Sequence, residues 1–501
     1  MVFFDNYEIR ILEYIRISPG LSTVSNRCFE DMTETGSKHI QFLAAATSSL
    51  SVFAAGAMMT WTSPVLPKLM NGDGPLGSPI SSDQSSWIAS LVSLASIPGS
   101  FIAGYLGDRW GRKRTLLFCT VPFSIGWILL ATANHVDQLY AARFILGLAK
   151  SIPFMIYPMY CGEIAETSIR GTLGSFIEPS NAIGGLYAYA IGPFVSYTIF
   201  CIVCGILPVI FFVCFMMMPE SPYYLLSNGR RDEAVASLAK LRGKSKAVAQ
   251  GEADEIQVIL DENYKNQISI SVLFKVKANF KALIYTCTLV TFQQFTGINI
   301  ILLYNQSIFE AAGGSISSKQ APIIIAIVRL LASAMTPVII DWSGRRTLLI
   351  FSGIGETISL CTLGLYFYLK DVQHADDIVE QISWLPLVAL IIFVAMYCIG
   401  WGPVTWAMIG EMFASNVKAK ASAISISLLW SLSFITVKFS SNIDEAFGKY
   451  TIFWTFGVFC FLSILFTVFF LPETKGKTLQ QIQDELSGMT EITDVKKGIK
   501  R

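Results

Sequence analysis

The chain has 501 residues, of which 53% are hydrophobic and only 15% are charged. Soluble domains carry roughly 25% charged residues, so this composition excludes both a soluble globular protein and a disordered one. The net charge is +1, from 37 basic and 36 acidic residues, so no overall field attracts nucleic acid. We therefore expect an integral membrane protein.

Apolar segments long enough to cross a bilayer recur along the chain. A membrane helix needs about 20 mostly apolar residues. Six segments precede a polar stretch and six follow it: 41–62, 86–106, 115–133, 138–160, 172–194, 197–218, 282–306, 321–341, 348–370, 384–410, 419–439 and 450–471. The sequence therefore predicts an all-α integral membrane protein with twelve transmembrane helices in two six-helix bundles.

Basic residues are concentrated in alternate loops, and this orients the chain. If the N-terminus is cytoplasmic, the short outside loops hold only Lys68, Lys319, Lys370 and Lys449, and the short inside loops hold more than twice as many basic residues. Because cytoplasmic loops are enriched in Lys and Arg, both termini are expected in the cytoplasm.

The predicted units are an N-terminal segment (1–40), a first bundle (41–218), a linker (219–281), a second bundle (282–471) and a tail (472–501). Apolar and charged residues interleave in the linker and over 479–486, which predicts short amphipathic helices.

Three charged signatures occur twice, in the same order, once in each half of the chain. They are Asp108-Arg109-Trp110-Gly111-Arg112 with Asp341-Trp342-Ser343-Gly344-Arg345, Glu163 and Arg170 with Glu411 and Lys418, and Pro219-Glu220-Ser221 with Pro472-Glu473-Thr474. All six copies fall at predicted cytoplasmic helix ends, which indicates a duplicated six-helix unit. Such repeats are typical of secondary transporters, whose substrate site lies between the repeats near mid-membrane.

The repeated charges suggest a conformational latch at the cytoplasmic helix ends. Residues seven apart on a helix are about 10 Å apart, so Glu163 and Arg170 need partners on neighbouring helices. The arginines around Gly111 are available cations for Glu163 and Glu220. We expect ion pairs that form in one state and break in another; the alternative is that the charges only set topology and solvate loops. The candidate latch residues are Asp108, Arg109, Gly111, Arg112, Arg114, Glu163, Arg170, Glu220, Asp341, Gly344, Arg345, Arg346, Glu411, Lys418 and Glu473.

These motifs resemble the sugar-porter family of the major facilitator superfamily, over residues 40–486. Three stretches are most similar to insect facilitated trehalose transporters: Gly162-Glu163-Ile164-Ala165-Glu166, Arg170-Gly171-Thr172-Leu173-Gly174 and Gly476-Lys477-Thr478-Leu479. The resemblance implies the major facilitator fold with short intracellular helices, and a plasma-membrane carrier. An enzyme is not expected, because the sequence shows no nucleophile–base constellation, Walker loop or metal cluster.

The seventh predicted span carries three amides, Gln293, Gln294 and Asn299, which lie near one helix face. Amides both donate and accept hydrogen bonds, which suits a neutral ligand rich in hydroxyl groups. The resemblance implies that this run lines the sugar site and that Tyr304 is the outer-gate aromatic residue. The alternative is that the amides only bond neighbouring helices to one another.

The tenth predicted span is broken by Gly400-Trp401-Gly402-Pro403, and such breaks are tolerated where the backbone faces protein or a cavity. The resemblance implies that Trp406 stacks beneath the sugar and that Tyr397 is an aromatic residue of the same site. Ordinary packing is the alternative for Trp406. The family commonly has proline at Thr405 and often an acid at Cys398, so local hydrogen bonding to sugar should differ here.

Charged residues inside the spans are costly and therefore informative. Glu178 and Arg329 stand where the resemblance implies amides of the sugar site, and we expect them to pair across the central cavity. The alternatives are that Glu178 packs near Pro179 or that Arg329 reaches toward the membrane surface. If Arg329 is free, an organic anion suits the cavity better, and a free Glu178 could bind a proton. Lys150 and Lys438 are expected to reach the membrane surface.

The leading functional hypothesis is facilitated diffusion of trehalose or a hexose such as glucose by alternating access. The alternatives are a proton-coupled or organic-anion carrier on the same fold, or a sugar sensor that does not transport. Family proton symporters usually have an acid in the first span, and residues 41–61 contain none.

The expected partners are the sugar and the lipid bilayer; no cofactor, metal ion or nucleic acid is expected. The oligomeric state stays open, since a monomer is sufficient. The sequon at Asn305 is expected to lie too near the bilayer for glycosylation.

Overall fold

A computed structural model describes residues 36–265, 271–313, 317–413, 415–477 and 479–487, so most of the N-terminal segment and most of the tail lie outside the described residues. The described part is helical and has no strand. Its helices, in chain order, are α1 (His39–Thr60), α2 (Thr62–Met70), α3 (Ser82–Trp110), α4 (Arg112–Phe118), α5 (Thr120–Ala131), α6 (Val136–Ile164), α7 (Arg170–Gly174), α8 (Ile177–Ile191), α9 (Tyr197–Gly205), α10 (Leu207–Phe215), α11 (Pro222–Ser227), α12 (Arg231–Arg242), α13 (Lys246–Lys265), α14 (Ser271–Lys275), α15 (Lys277–Phe295), α16 (Ile298–Leu303), α17 (Asn305–Ala312), α18 (Ala321–Ser343), α19 (Arg345–Asp371), α20 (Asp376–Gln381), α21 (Leu385–Ile399), α22 (Trp401–Glu411), α23 (Ser415–Phe447), α24 (Lys449–Phe469) and α25 (Leu479–Ser487).

Eleven helical segments of the described chain are long and apolar enough to cross a membrane. They coincide with eleven of the twelve predicted spans. The fifth, predicted at 172–194, is formed by α7 and the 15-residue α8. It contains Glu178 and Asn181, which lower its hydropathy, and it packs between α1 and α18. The all-α membrane fold is confirmed, and the fifth span differs because its helix is interrupted between α7 and α8 and α8 has only 15 residues.

The first six spans pack mainly with one another, through α3 on α6 and α1 on α8, and the last six through α19 on α24 and α18 on α21. We call these groups the N half and the C half. They meet along α3 and α23, along α8 and α18, and where α2 packs on α17. We call the side of the molecule that carries residues 219–281 the linker side, and the opposite side the far side.

Short helices of the linker dock on the N half, where the sequence predicts amphipathic helices. Arg242, at the end of α12, is buried, and its Nη1 donates to the carbonyl of Ile164 at 2.7 Å. The same guanidinium pairs with Glu252 of α13 at 2.6 Å. Gly243 ends α12 in the left-handed conformation, with φ of 62°, which glycine adopts without steric cost. The linker is thereby fastened to the end of α6.

Candidate functional site

Two helix breaks in the C half position the predicted sugar-site amides. The first break follows α15, where Gly297 has φ of 83° and a side chain would overlap the Phe456 ring. Beyond it, Asn299 donates from Nδ2 to Gln294 Oε1 at 2.6 Å and to Ser433 Oγ of α23 at 3.0 Å. Only glycine fits this turn, and the turn brings the two amides together.

The second break separates α21 from α22 at Gly400, whose φ is −118° and ψ is −86°. Gln293 is buried and donates from Nε2 to the carbonyls of Trp401 and Gly402, at 3.1 Å each. Both carbonyls lie at the start of α22. The side chain of Gln293 on α15 therefore connects the helix before the first break to the helix after the second break. Such unwound backbone at membrane depth is typical of a substrate site.

The aromatic candidates flank this second break. Tyr397 lies in the last turn of α21 and is half-buried, whereas Trp406 of α22 is 40% exposed. Thr405, which stands where the family commonly has proline, is buried and donates its hydroxyl to the carbonyl of Trp401 at 2.8 Å. The hydrogen bond of this hydroxyl is therefore made within its own helix. The hydroxyl of Tyr304 faces Ser85 and Ser441, where α3 meets α23.

The structure brings the two charged cavity candidates together across the halves. Arg329 Nη2 of α18 lies 3.7 Å from Glu178 Oε2 of α8. The exposed side-chain fractions are 16% for Arg329 and 43% for Glu178, so the guanidinium is the more buried partner. The thiol of Cys398, at the position where the family often has an acid, is a further neighbour of Arg329.

On the linker side, the first latch signature forms a bonded cluster within the N half. Arg112 Nη2 pairs with Glu163 Oε1 at 2.9 Å, and Ser221 donates its hydroxyl to the other oxygen of Glu163. Glu220 accepts from the backbone N–H groups of Lys113 at 2.8 Å and of Ser221 at 2.9 Å. A carboxylate at a helix N-terminus is favourable because the first N–H groups of the helix lack partners within it.

The second signature repeats this arrangement in the C half. Arg345 Nη2 pairs with Glu411 Oε1 at 2.9 Å, and Thr474 donates its hydroxyl to Glu411 Oε2 at 2.7 Å. Glu473 accepts from the backbone N–H groups of Arg345 and Arg346, both at 3.0 Å. Burial alone would raise the pKa of Glu473, but the N–H groups of Lys475, Arg345, Arg346 and Thr474 lower it below its ordinary value.

Several candidate latch residues stand apart from these clusters. In this conformation Glu220 makes no ion pair with an arginine among the described residues, and its Oε1 accepts backbone N–H groups instead. Arg109 donates to the hydroxyl of Tyr105 at 2.6 Å instead of reaching a glutamate. Asp108 Oδ1, near the end of α3, lies 3.5 Å from Nη1 of Arg112 at the start of α4. Arg114, Arg170 and Lys418 are exposed, and the side chain of Asp341 lies outside the described part of the structure.

The expectation that Lys150 reaches the membrane surface is wrong, whereas Lys438 extends to an exposed carboxylate at the far-side end of α3. Lys150 of α6 has no exposed surface, and its Nζ lies 3.6 Å from the ring centre of Trp430 on α23. Lys438 of α23 pairs with Asp83 of α3 at 2.5 Å and donates to Ser86 at 2.7 Å. Lys438 thus has an ion pair and a hydrogen bond across the seam between the halves, whereas Lys150 has only the face of the Trp430 ring and no hydrogen-bond partner among the described residues.

Sequence reasoning also missed residues that complete the site. Ser433 lies 2.9 Å from Ser93 of α3 as well as contacting Asn299, so one hydroxyl joins the amide cluster to the N half. On α8, Tyr189 donates its hydroxyl to the carbonyl of Leu302 at 2.6 Å. The available signal was weak, since small polar residues in a span are common at helix contacts.

A family profile described as "Sugar (and other) transporter" matches residues 27–486. The chain belongs to this family. Among curated relatives, facilitated trehalose transporter Tret1 of Bombyx mori is 34% identical, with 91% of this chain and 89% of that protein covered. Tret1 of Polypedilum vanderplanki is 33% identical, with 90% and 88% covered. Tret1 of Anopheles gambiae is also 33% identical, but the chain spans only 58% of its length.

Solved structures share the fold of this sugar-transporter family member. The inward-open conformation of the xylose transporter XylE from E. coli superposes with a TM-score of 0.75 at 24% identity, covering 89% of this chain and 99% of that one. A partially occluded inward-open conformation of the same transporter gives 0.74 at 24% identity, with coverages of 88% and 100%. The resemblance stated from the motifs is confirmed: the chain has the fold of these transporters and belongs to the family described as "Sugar (and other) transporter".

Proposed function

We propose that this transporter moves trehalose, or a hexose such as glucose, across the plasma membrane by facilitated diffusion. The observation that carries the proposal is the amide cluster of Gln293, Gln294 and Asn299 at two helix breaks, with the exposed Trp406 on α22, the helix that follows the second break. Amides donate to and accept from sugar hydroxyls, and an indole face packs on sugar C–H groups. The insect relatives named for trehalose transport support this substrate first.

Alternating access accounts for how the bonded clusters are distributed. The linker-side pairs, Arg112 with Glu163 and Arg345 with Glu411, each lie inside one half. The contacts of Lys438 with Asp83 and of Tyr189 with Leu302 join the two halves at or toward the far side. We propose that this conformation is closed on the far side, which is the extracellular side, and that both termini are cytoplasmic. In the outward-facing state the halves approach on the linker side, and the latch residues then contact the opposite half.

The test is uptake by the purified protein in lipid vesicles. Labelled trehalose and labelled glucose are offered with and without an imposed proton gradient. Facilitated diffusion predicts saturable uptake that equilibrates and does not respond to the gradient. Uptake that the gradient drives above equilibrium would overturn passive transport, and sugar binding without any uptake would make the protein a sensor.

A second candidate function is carriage of an organic anion or coupling to protons, and it is favoured by the charged pair of Glu178 and Arg329. If the pair separates during the cycle, Arg329 could bind a carboxylate or Glu178 could bind a proton. The same vesicles distinguish this case. An organic anion that competes with labelled sugar in wild type, and no longer competes after Arg329→Gln, would support it.

A further inference from the structure

Three consecutive residues at the corner between α16 and α17 carry polar atoms with no hydrogen-bond partner among the described residues. The side chain of Asn305 is fully buried, and neither its Nδ2 nor its Oδ1 has a described partner at hydrogen-bond distance, although the Tyr189 hydroxyl lies next to it. Gln306 is 4% exposed, and its Oε1 is unbonded while its Nε2 donates to Glu310 at 2.9 Å. The hydroxyl of Tyr304 is also unbonded. Buried amides are normally bonded, so this concentration needs an explanation.

These groups face hydroxyls of the N half across the seam. The backbone N–H of Gln306 donates to Ser63 Oγ of α2 at 3.0 Å. The hydroxyl of Tyr189, which donates to the carbonyl of Leu302, also faces Asn305 and Ser63. The corner therefore holds amides on one half and hydroxyls on the other, a set of donors and acceptors that matches the hydroxyl groups of a sugar.

The corner lies along the path that a larger sugar would occupy. Gln306 follows Asn299 by seven residues, with the bend at Tyr304 between them, and an unbent helix would place the two residues about 10 Å apart. This separation is longer than one pyranose ring and comparable with two linked rings. One ring placed on Asn299 would leave the second ring near Asn305 and Gln306.

We propose that Asn305 and Gln306, with Ser63 and Tyr189, form a second hexosyl subsite that recognises the outer ring of a disaccharide. In the far-side-closed conformation the amides are packed against α2 and α8. When the far side opens, the contacts of Gln306 with Ser63 and of Tyr189 with Leu302 separate, and the amides turn toward the entering sugar. The proposal rests on the proposed function and adds the residues that distinguish a disaccharide from a monosaccharide.

The experiment compares the KM for trehalose with the KM for glucose in the full-length protein in lipid vesicles. Asn305→Ala and Gln306→Ala should each raise the KM for trehalose by about 5- to 10-fold, the effect of losing one or two hydrogen bonds. The KM for glucose should stay within about twofold of the wild-type value. Trp406→Ala should impair both sugars, and Gln373→Ala, which changes an exposed amide on the far side, should impair neither.

The outcomes separate the subsite from the transport function. If both alanine variants change trehalose and glucose alike, or change neither, the amides are packing residues and the subsite is wrong. If the wild type carries glucose but not trehalose, the subsite is wrong and sugar transport stands. If it carries neither sugar, the proposed function fails and the subsite fails with it. Should Asn305→Ala not fold, Gln306→Ala and Ser63→Ala give the same comparison.

Discussion

The pair formed by Glu178 and Arg329 gives a quantitative prediction. Three variants are needed: Glu178→Gln, Arg329→Gln and the double change, which puts amides at both positions as the family resemblance implies. Removing Glu178 leaves a guanidinium that is 16% exposed, and removing Arg329 leaves a carboxylate that is 43% exposed. Because the more buried charge loses more hydration when it is unpaired, Glu178→Gln should be the more damaging single change.

The size of the coupling follows from the geometry. Two unit charges at 3.7 Å interact by about 4 kcal/mol at an effective dielectric constant of 20 and by about 1 kcal/mol in water. A wholly buried pair would cost about 3–5 kcal/mol to break, but the exposed carboxylate places this pair nearer the surface case. We therefore expect a coupling energy of about 1–2 kcal/mol, a factor of roughly 5–30 in an equilibrium constant.

The assay is a double-mutant cycle on sugar affinity, measured by binding to the purified protein, with thermal unfolding of the same samples to detect misfolding. The double variant should bind sugar more tightly than Glu178→Gln alone, because the unpaired guanidinium is gone. Glu255→Gln, which removes an exposed carboxylate of the linker, is the control for a change of net charge. Losses in the double variant that equal the sum of the single losses would refute the pairing.

Further predictions concern the latch and the seam. Gly344→Ala should lower the free energy of unfolding by about 1–3 kcal/mol, because its φ is 85° and the new Cβ would lie 2.9 Å from Glu473 Oε2. The control is Gly476→Ala, where φ is 72° but the surrounding space is open. Equal melting temperatures for the two variants would contradict this prediction. The pKa of Glu473 in the folded protein is lowered from 4.5, so its charge stabilises the fold above pH 4.5 and this stabilisation is lost as the pH falls through the folded pKa. The difference in melting temperature between wild type and Glu473→Gln should therefore shrink only below pH 4.5. A difference that already shrinks near neutral pH would argue against this prediction. Lys438→Met removes an ion pair between the halves and should open the far side. A cysteine introduced at Ser93, which lies at the same seam, should then react several-fold faster with an external, impermeant thiol reagent than it does when Lys438 is present. An unchanged reaction rate would exclude a role of Lys438 in closing the far side.

Most of the fold could be predicted from the sequence because apolar length is the dominant requirement for a membrane helix. The break at Gly400 was also predictable, since two glycines and a proline lie close together in an apolar run. The break between α1 and α2 at Trp61 was not, because no glycine marks it. The fifth span was predicted as an ordinary membrane helix, although contact with α1 and α18 lets it be short and polar.

The site could be predicted only in part. The amides of the seventh span and the aromatic residues of the tenth came from the resemblance, and the pairing of Glu178 with Arg329 came from the physical cost of intramembrane charge. The partners of Lys150 and Lys438 could not be found this way, because each lies hundreds of residues away on the other half. The role of Glu220 was missed because a carboxylate in a sequence does not reveal whether it binds a side chain or a helix N-terminus.

The burial of Lys150 has an electrical consequence. Its amino group lies halfway along α6, with an indole face of the opposite half as its neighbour. If Lys150 takes up a proton when the halves part, the new charge lies in the membrane's electric field, which acts with about 2.3 kcal/mol per charge per 100 mV across the full bilayer. A carrier of an uncharged sugar would then still respond to voltage. The membrane potential would then shift the balance between the two orientations of the empty site.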